Sequence, residues 1–215
     1  MLEDNKKNLA QMLSSISRPV KGIPFEVAIE GIYEIEVEKF IDTEYFNQDL
    51  VNKIIAAAKS VCQEIKQNPI IRPRPNEVGN DIEPYVIKYL KEEGLDADTP
   101  RTKSGKKKST GYPDIKINFQ PFPIYLEVKT YALKNHATTQ RSFYLSPSED
   151  PKVTEKGFHL LIGFEIENEG QKYTPVAYEL IDLYGLECDV KFEFNSDNKR
   201  LYEKKRMITS GRVDN

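Results

Sequence analysis

Between Gly111 and Thr130 the chain alternates twice between apolar and polar residues, with a proline-broken gap separating the two runs. Ile115, Ile117 and Phe119 share one face of the first run, and Ile124, Leu126 and Val128 share one face of the second. Alternation of this kind over about 4–8 residues specifies a strand with one buried face. Pro121 and Pro123 have no amide hydrogen to give to a ladder, so the gap reads as a turn. The chain must therefore build a sheet around this hairpin. Glu127 and Lys129 are set into the second run two residues apart, which puts both side chains on one face. Asp114 opens the first run and is placed to meet them across the ladder. Two carboxylates beside an ammonium are costly to assemble unless a divalent cation neutralises the acids. The plain alternative is a surface hairpin with a Glu-Lys pair, which would contribute little to stability.

Pro113-Asp114 followed by Glu127-Val128-Lys129 resembles the signature of the PD-(D/E)xK nuclease superfamily, the core of most type II restriction endonucleases. Tyr112-Pro113-Asp114, Lys129-Thr130-Tyr131 and the run His159 to Phe164 look like the EcoRV-type core within it. The resemblance covers residues 77–166. It implies an α/β (α+β) fold with a mixed central sheet flanked by helices, Mg²⁺ dependence and cleavage of duplex DNA. It also implies Asp114 and Glu127 as metal ligands and Lys129 as a catalytic residue. The Val128 carbonyl is a further oxygen donor open to the metal. Lys129 would either orient the attacking water or help deprotonate it, and the sequence leaves both roles open.

A helix is expected over the segment from Glu77 to Gly94, where Ile82, Val86, Tyr89 and Leu90 recur at helical spacing. Asn80 or Asp81 is the expected N-cap, Gly94 the stop, and Pro84 is tolerated near the first turn. Glu83, in that first turn, resembles the helix glutamate that many of these nucleases place beside the metal, with Glu77 as the second candidate. Acids also favour helix N-termini for the dipole alone.

Elsewhere, helical periodicity marks residues 2–17 and 46–67, and a short hairpin is expected around Gly31. The three-proline run Asn68 to Pro75 reads as a linker. Strands are expected at 157–166, 178–183 and 190–194. This gives an N-terminal helical and hairpin extension over 1–75 and a nuclease core over 76–215, together one compact unit.

At 215 residues the chain is long enough for one sizeable domain. No apolar run approaches the roughly 20 residues that cross a bilayer, so no membrane partner is expected. Cys62 and Cys188 have no partner motif and point to a reducing, cytoplasmic compartment. With His136 and His159 as the two histidines, a protein zinc site is not expected.

A formal charge of −3 argues against a global grip on phosphates. The distribution answers part of that objection. Arg101, Lys103, Lys106, Lys107 and Lys108 form a basic block just before Gly111, and the lysines are expected at phosphates. Gln140, Arg141, Ser142 and Tyr144 offer donors and acceptors suited to base edges or sugar-phosphate. The leading expectation is a homodimeric type II restriction endonuclease. A Holliday-junction resolvase or DNA-repair nuclease shares the same layout, and a DNA-binding module that kept the fold without the chemistry is the non-enzyme alternative. Presence of all three signature residues argues against the last.

Overall fold

The computed structural model describes residues 2–16, 20–139, 143–192 and 195–209. In chain order its elements are α1 (Leu2–Ile16), β1 (Val20–Pro24), α2 (Phe25–Tyr33), β2 (Val37–Glu38), α3 (Gln48–Gln67) and β3 (Ile70–Ile71). A 3₁₀ turn (Pro75–Glu77) leads into α4 (Val78–Glu92), followed by β4 (Asp96–Asp98), β5 (Ile115–Asn118), β6 (Ile124–Tyr131) and α5 (Leu133–His136). The chain continues through β7 (Gly157–Glu169), β8 (Lys172–Asp182), β9 (Glu187–Val190), α6 (Asn198–Leu201) and a 3₁₀ turn at Lys204–Arg206. It is a mixed α+β fold.

The chain divides into a larger unit, Ile23–Glu187, and a smaller one, Met1–Gly22 with Cys188–Asn215. The larger unit holds a seven-stranded sheet in the order β3-β8-β7-β6-β5-β4, with β2 paired to β7 off that path. Strands β6 and β7 are parallel, as are β2 and β7, and the remaining pairs are antiparallel. Strands β1 and β9 form a separate two-stranded sheet, with Gly22 N donating to Asp189 Oδ1 at 3.1 Å.

One core joins the sheet of the larger unit to two helices. Leu50, Ile54, Val61 and Ile65 of α3 recur every three or four residues or at multiples of that spacing, as do Val78, Ile82, Val86 and Leu90 of α4. They cover Ile115, Ile117, Leu126, Val128 and Ile162 of the sheet, all buried. Asn47 caps α3 by accepting from Leu50 N at 3.0 Å, a bond whose loss costs about 1 kcal/mol. The second face of β6 is covered as well. Tyr125 is fully buried, and its hydroxyl accepts from the amides of Thr154 and Glu155 at 3.1 and 3.2 Å. The segment before β7 is thereby laid against the sheet. Gly157 starts β7 where a Cβ would stand 2.7 Å from the Pro123 carbonyl and 2.9 Å from the Tyr125 ring, which leaves no room for a side chain.

Several expectations are corrected here. The hairpin around Gly31 is the helix α2, which buries Phe25 and Ile29 on one face. The linker contains β3, whose Ile70 and Ile71 pair with Tyr173 and Lys172 of β8. Helix α4 begins at Val78, so neither Asn80 nor Asp81 caps it, and Glu77 at the cap makes no side-chain bond there. Asp81 binds Arg72 instead, in a two-pronged pair at 2.6 and 2.5 Å. Pro84 therefore lies inside the helix, where it forgoes the bond to the Asn80 carbonyl, and Glu83 sits in the second turn. The expected strand 190–194 ends at Val190, and residues 193–194 lie outside the described residues. No helix among the described residues is long and apolar enough to cross a membrane.

Candidate active site

Antiparallel pairing aligns Ile115 with Leu126, and the same register carries Asp114 level with Glu127. Asp114 Oδ2 accepts from the backbone amide of Val128 at 2.9 Å, which holds its carboxylate against the strand segment carrying both other residues. Lys129 Nζ donates to Glu127 Oε1, as their shared face requires. Asp114 is thereby held beside the strand segment on which Glu127 and Lys129 are paired.

Because β6 lies inside the sheet, Glu127 is buried, with 3% of its surface exposed. Its carboxyl is pushed up to about 7, first by burial and then by the neighbouring Asp114 carboxylate, while Lys129 pulls it down. Glu83 on α4 is also pushed up to about 7, by burial and then by Asp114, against the pull of Lys152 and Lys129. All four residues line one cleft of about 1280 Å³, which also takes in Asn80, Tyr131, Lys134, Asn135, Tyr144 and Tyr173.

Among the described residues, no group of three His, Cys, Asp or Glu side chains is arranged to cage a metal by itself. A protein-only cage is not what Mg²⁺ needs, since it is commonly held by one or two carboxylates, waters and substrate phosphate. Glu127 Oε2 is buried with no hydrogen-bond partner. An orphaned carboxylate oxygen beside a second carboxylate has the chemistry such a cation takes, and Asp114 and Glu127 are the residues able to hold one.

A family model described as the Type II restriction enzyme MjaV family matches residues 19–205. The Type II restriction enzyme MjaV of Methanocaldococcus jannaschii is 34% identical over 218 residues, covering 94% of each chain. The chain belongs to the MjaV family of type II restriction enzymes. The matched stretch contains Glu83, Asp114, Glu127 and Lys129, and it begins after helix α1.

Other residues expected in this restriction enzyme's site fall differently. Lys103, Lys106, Lys107 and Lys108 are exposed and lie outside the cleft lining, to which that loop contributes Ser109, Thr110 and Gly111. The loop is folded on itself: Thr102 N donates to Lys106 O at 2.9 Å, and Lys107 Nζ pairs with Asp98 at 2.8 Å. Tyr144 does line the cleft, whereas Gln140, Arg141 and Ser142 lie outside the described residues. Glu77 ends the 3₁₀ turn and does not line the cleft.

Two features at the site were not foreseen from the sequence. Lys152 is 2% exposed, and its Nζ donates to the carbonyls of Gly111 and Pro113 at 2.6 and 2.7 Å. No periodicity or motif marks it. Tyr112, next to the Pro-Asp, shares a 2.6 Å hydrogen bond with Nδ1 of the fully buried His159. Phe25, Tyr125 and Tyr112 pack around that imidazole at ring separations of 4.9–5.8 Å. Burial lowers the His159 pKa to about 3, so it is held neutral.

Proposed function

We propose that this restriction enzyme is a Mg²⁺-dependent nuclease of the PD-(D/E)xK type, with a restriction-endonuclease-like core. It hydrolyses phosphodiester bonds of duplex DNA at a short palindrome, as a homodimer. The observation that carries this reading is the meeting of Asp114, Glu127 and Lys129 in one cleft, with Glu83 beside them.

Asp114 and Glu127 would hold the Mg²⁺, which when bound supplies Lewis-acid stabilisation of charge on the phosphate. The Val128 amide keeps Asp114 aimed at that position. Lys129 is anchored through Glu127 Oε1, so its amino group is presented to the cleft, where it orients the attacking water as the ammonium or takes the water's proton as the neutral amine. Its charge also offsets the negative charge that builds on the phosphoryl oxygens. Glu83 adds a third carboxyl from α4, able to accept a proton near neutrality. Tyr144, Asn135 and Lys134 extend the lining away from the acids and suit contacts to bases or backbone.

The homodimer rests on two supports. Each chain carries one such cleft, and a duplex needs two cuts related by the symmetry of the site. The smaller unit also leaves large apolar side chains at the surface, among them Leu9, Val190, Phe192, Leu201 and Ile208. Among the residues whose side chains are described, none of its apolar ones is buried. An apolar surface of that kind marks an association face. A restriction role supports a cytoplasmic enzyme, acting where the DNA is.

Digestion of a randomised duplex library with Mg²⁺, followed by sequencing of the ends, tests the proposal. A defined palindrome at the cut is the expected result. Cutting confined to four-way junctions, or no cutting with Mg²⁺ or Mn²⁺, would overturn it.

A further inference from the structure

Among the described residues, Lys152 stands out as a buried ammonium with no single carboxylate partner. It is 2% exposed and donates to two backbone carbonyls, Gly111 O and Pro113 O, at 2.6 and 2.7 Å. Those carbonyls flank Tyr112 in the stretch that delivers Asp114 to the cleft. The stretch has no ladder of its own, since β5 begins only at Ile115. Its backbone is therefore fixed by Lys152, while the Tyr112 side chain is fixed by His159.

The charge balance gives the lysine a second effect. Glu83, Asp114 and Glu127 all act electrostatically on Lys152, so its ammonium lies within reach of the whole acidic cluster. With all three ionised, the cluster carries three negative charges against the single positive charge of Lys129. Lys152 brings the sum to −1. A buried ammonium without such compensation would be too costly to retain.

We infer that Lys152 is a positioning residue: it clamps the Gly111–Pro113 backbone that presents Asp114, and its fixed charge keeps the three carboxylates assembled when no divalent cation is bound. This rests on the metal-nuclease reading above. Lys152 touches neither the DNA nor the water in this scheme and acts through Asp114 and its neighbours.

The test compares wild type, Lys152→Met, Glu127→Gln and the double variant, first without DNA. Removing the charge and both hydrogen bonds should lower the metal-free thermal midpoint by about 10 °C. Mg²⁺ alone should then close at least half of that gap, because the cation replaces the missing positive charge. Glu127→Gln in the Lys152→Met background should recover stability too, since one carboxylate fewer is left uncompensated. A role limited to packing or hydrogen bonding predicts the same deficit with and without Mg²⁺, and with or without Glu127→Gln; that pattern overturns the inference. If Lys152→Met does not fold alone, the double variant must fold, and its failure to do so also overturns it. With duplex DNA, Lys152→Met should lose about 100-fold in kcat with KM little changed, as expected for a misplaced catalytic group. Wild-type kcat in this variant counts against the clamp. Absence of cleavage by the wild type itself would defeat the nuclease reading while leaving the stability measurements to decide the role of Lys152.

Discussion

Asp114 and Val128 are joined by a 2.9 Å hydrogen bond from the Val128 amide to Asp114 Oδ2, which ties the start of β5 to the residue between Glu127 and Lys129. Strand pairing alone would align the backbones. This bond fixes the carboxylate itself, so that one acid is oriented by main chain and the other by Lys129.

Asp114→Asn, Glu127→Gln and Lys129→Met should each reduce cleavage by about a thousandfold, because each removes a charge placed for the transition state. Their stabilities should differ. Asp114→Asn keeps an oxygen for the Val128 amide, whereas a further variant, Asp114→Ala, leaves that amide without its partner, at about 1–3 kcal/mol. Glu127→Gln removes a buried charge whose Oε2 has no partner, so it should match or exceed wild type. Plasmid cleavage and thermal melts read both effects, and full cutting by all three variants would refute the site.

The carboxyls of Glu83 and Glu127, both pushed up to about 7, make metal loading depend on pH. Protons and the cation compete for the Glu127 oxygens, and ionised Glu83 adds to the negative charge that draws the cation. At limiting Mg²⁺, cleavage should rise through about pH 7 and then level off. More Mg²⁺ should move that rise to lower pH. Initial rates between about pH 6 and 8.5 at two Mg²⁺ concentrations check this; a rise whose position ignores Mg²⁺ contradicts it.

In the basic loop, exposed Lys103, Lys106 and Lys108 should act on binding through phosphates alone. Each one changed to Gln should weaken every sequence alike and shallow the log-log salt slope by about 0.9 for each phosphate that is no longer neutralised. Lys107 is engaged by Asp98, so Lys107→Gln should change the slope less. Fluorescence anisotropy over a salt series, in Ca²⁺ to prevent cutting, measures both. A change in which sequence is preferred would instead assign these lysines to base readout.

His159, lowered to about 3 inside its aromatic cage, couples folding to acid. The unfolded chain takes up a proton below about pH 6.5 and the folded chain does not, so this contribution is complete above about 6.5 and shrinks as pH falls. It weakens by about 1.4 kcal/mol per pH unit below that point. Glu83 and Glu127 pull the opposite way in the same window, because their folded values are raised. The readout is therefore the difference between wild type and His159→Gln by urea unfolding from about pH 7 to 5. A difference that does not change with pH would show that the imidazole is not held neutral.

The small unit should carry the dimer. Leu201→Glu together with Leu9→Glu should shift the light-scattering mass from dimer to monomer and leave the larger unit folded. Wild type running as a monomer at micromolar concentration would remove the basis for this assignment.

By itself the sequence determined the elements whose periodicity is long or strict. Alternation at Ile115, Ile117, Ile124 and Leu126 required two paired strands, and i, i+3, i+4 recurrence required α3 and α4. It also determined that Glu127 and Lys129 share a face, because that follows from strand geometry alone. Short segments were ambiguous. Phe25, Val27 and Ile29 alternate like a strand, yet Phe25 and Ile29 are also one helical turn apart, and burial of that pair selected α2. What remained belonged to the tertiary structure. Glu127 became buried, with a raised pKa, only because β7 pairs along the other edge of β6 and residues 154–155 bond to Tyr125 on its second face. Lys152 reached the Pro113 carbonyl from 39 residues away, and no local pattern records such a meeting. Side-chain periodicity is set by neighbours in the chain. Burial, and with it the electrostatics of the site, is set by whatever the rest of the fold lays on top.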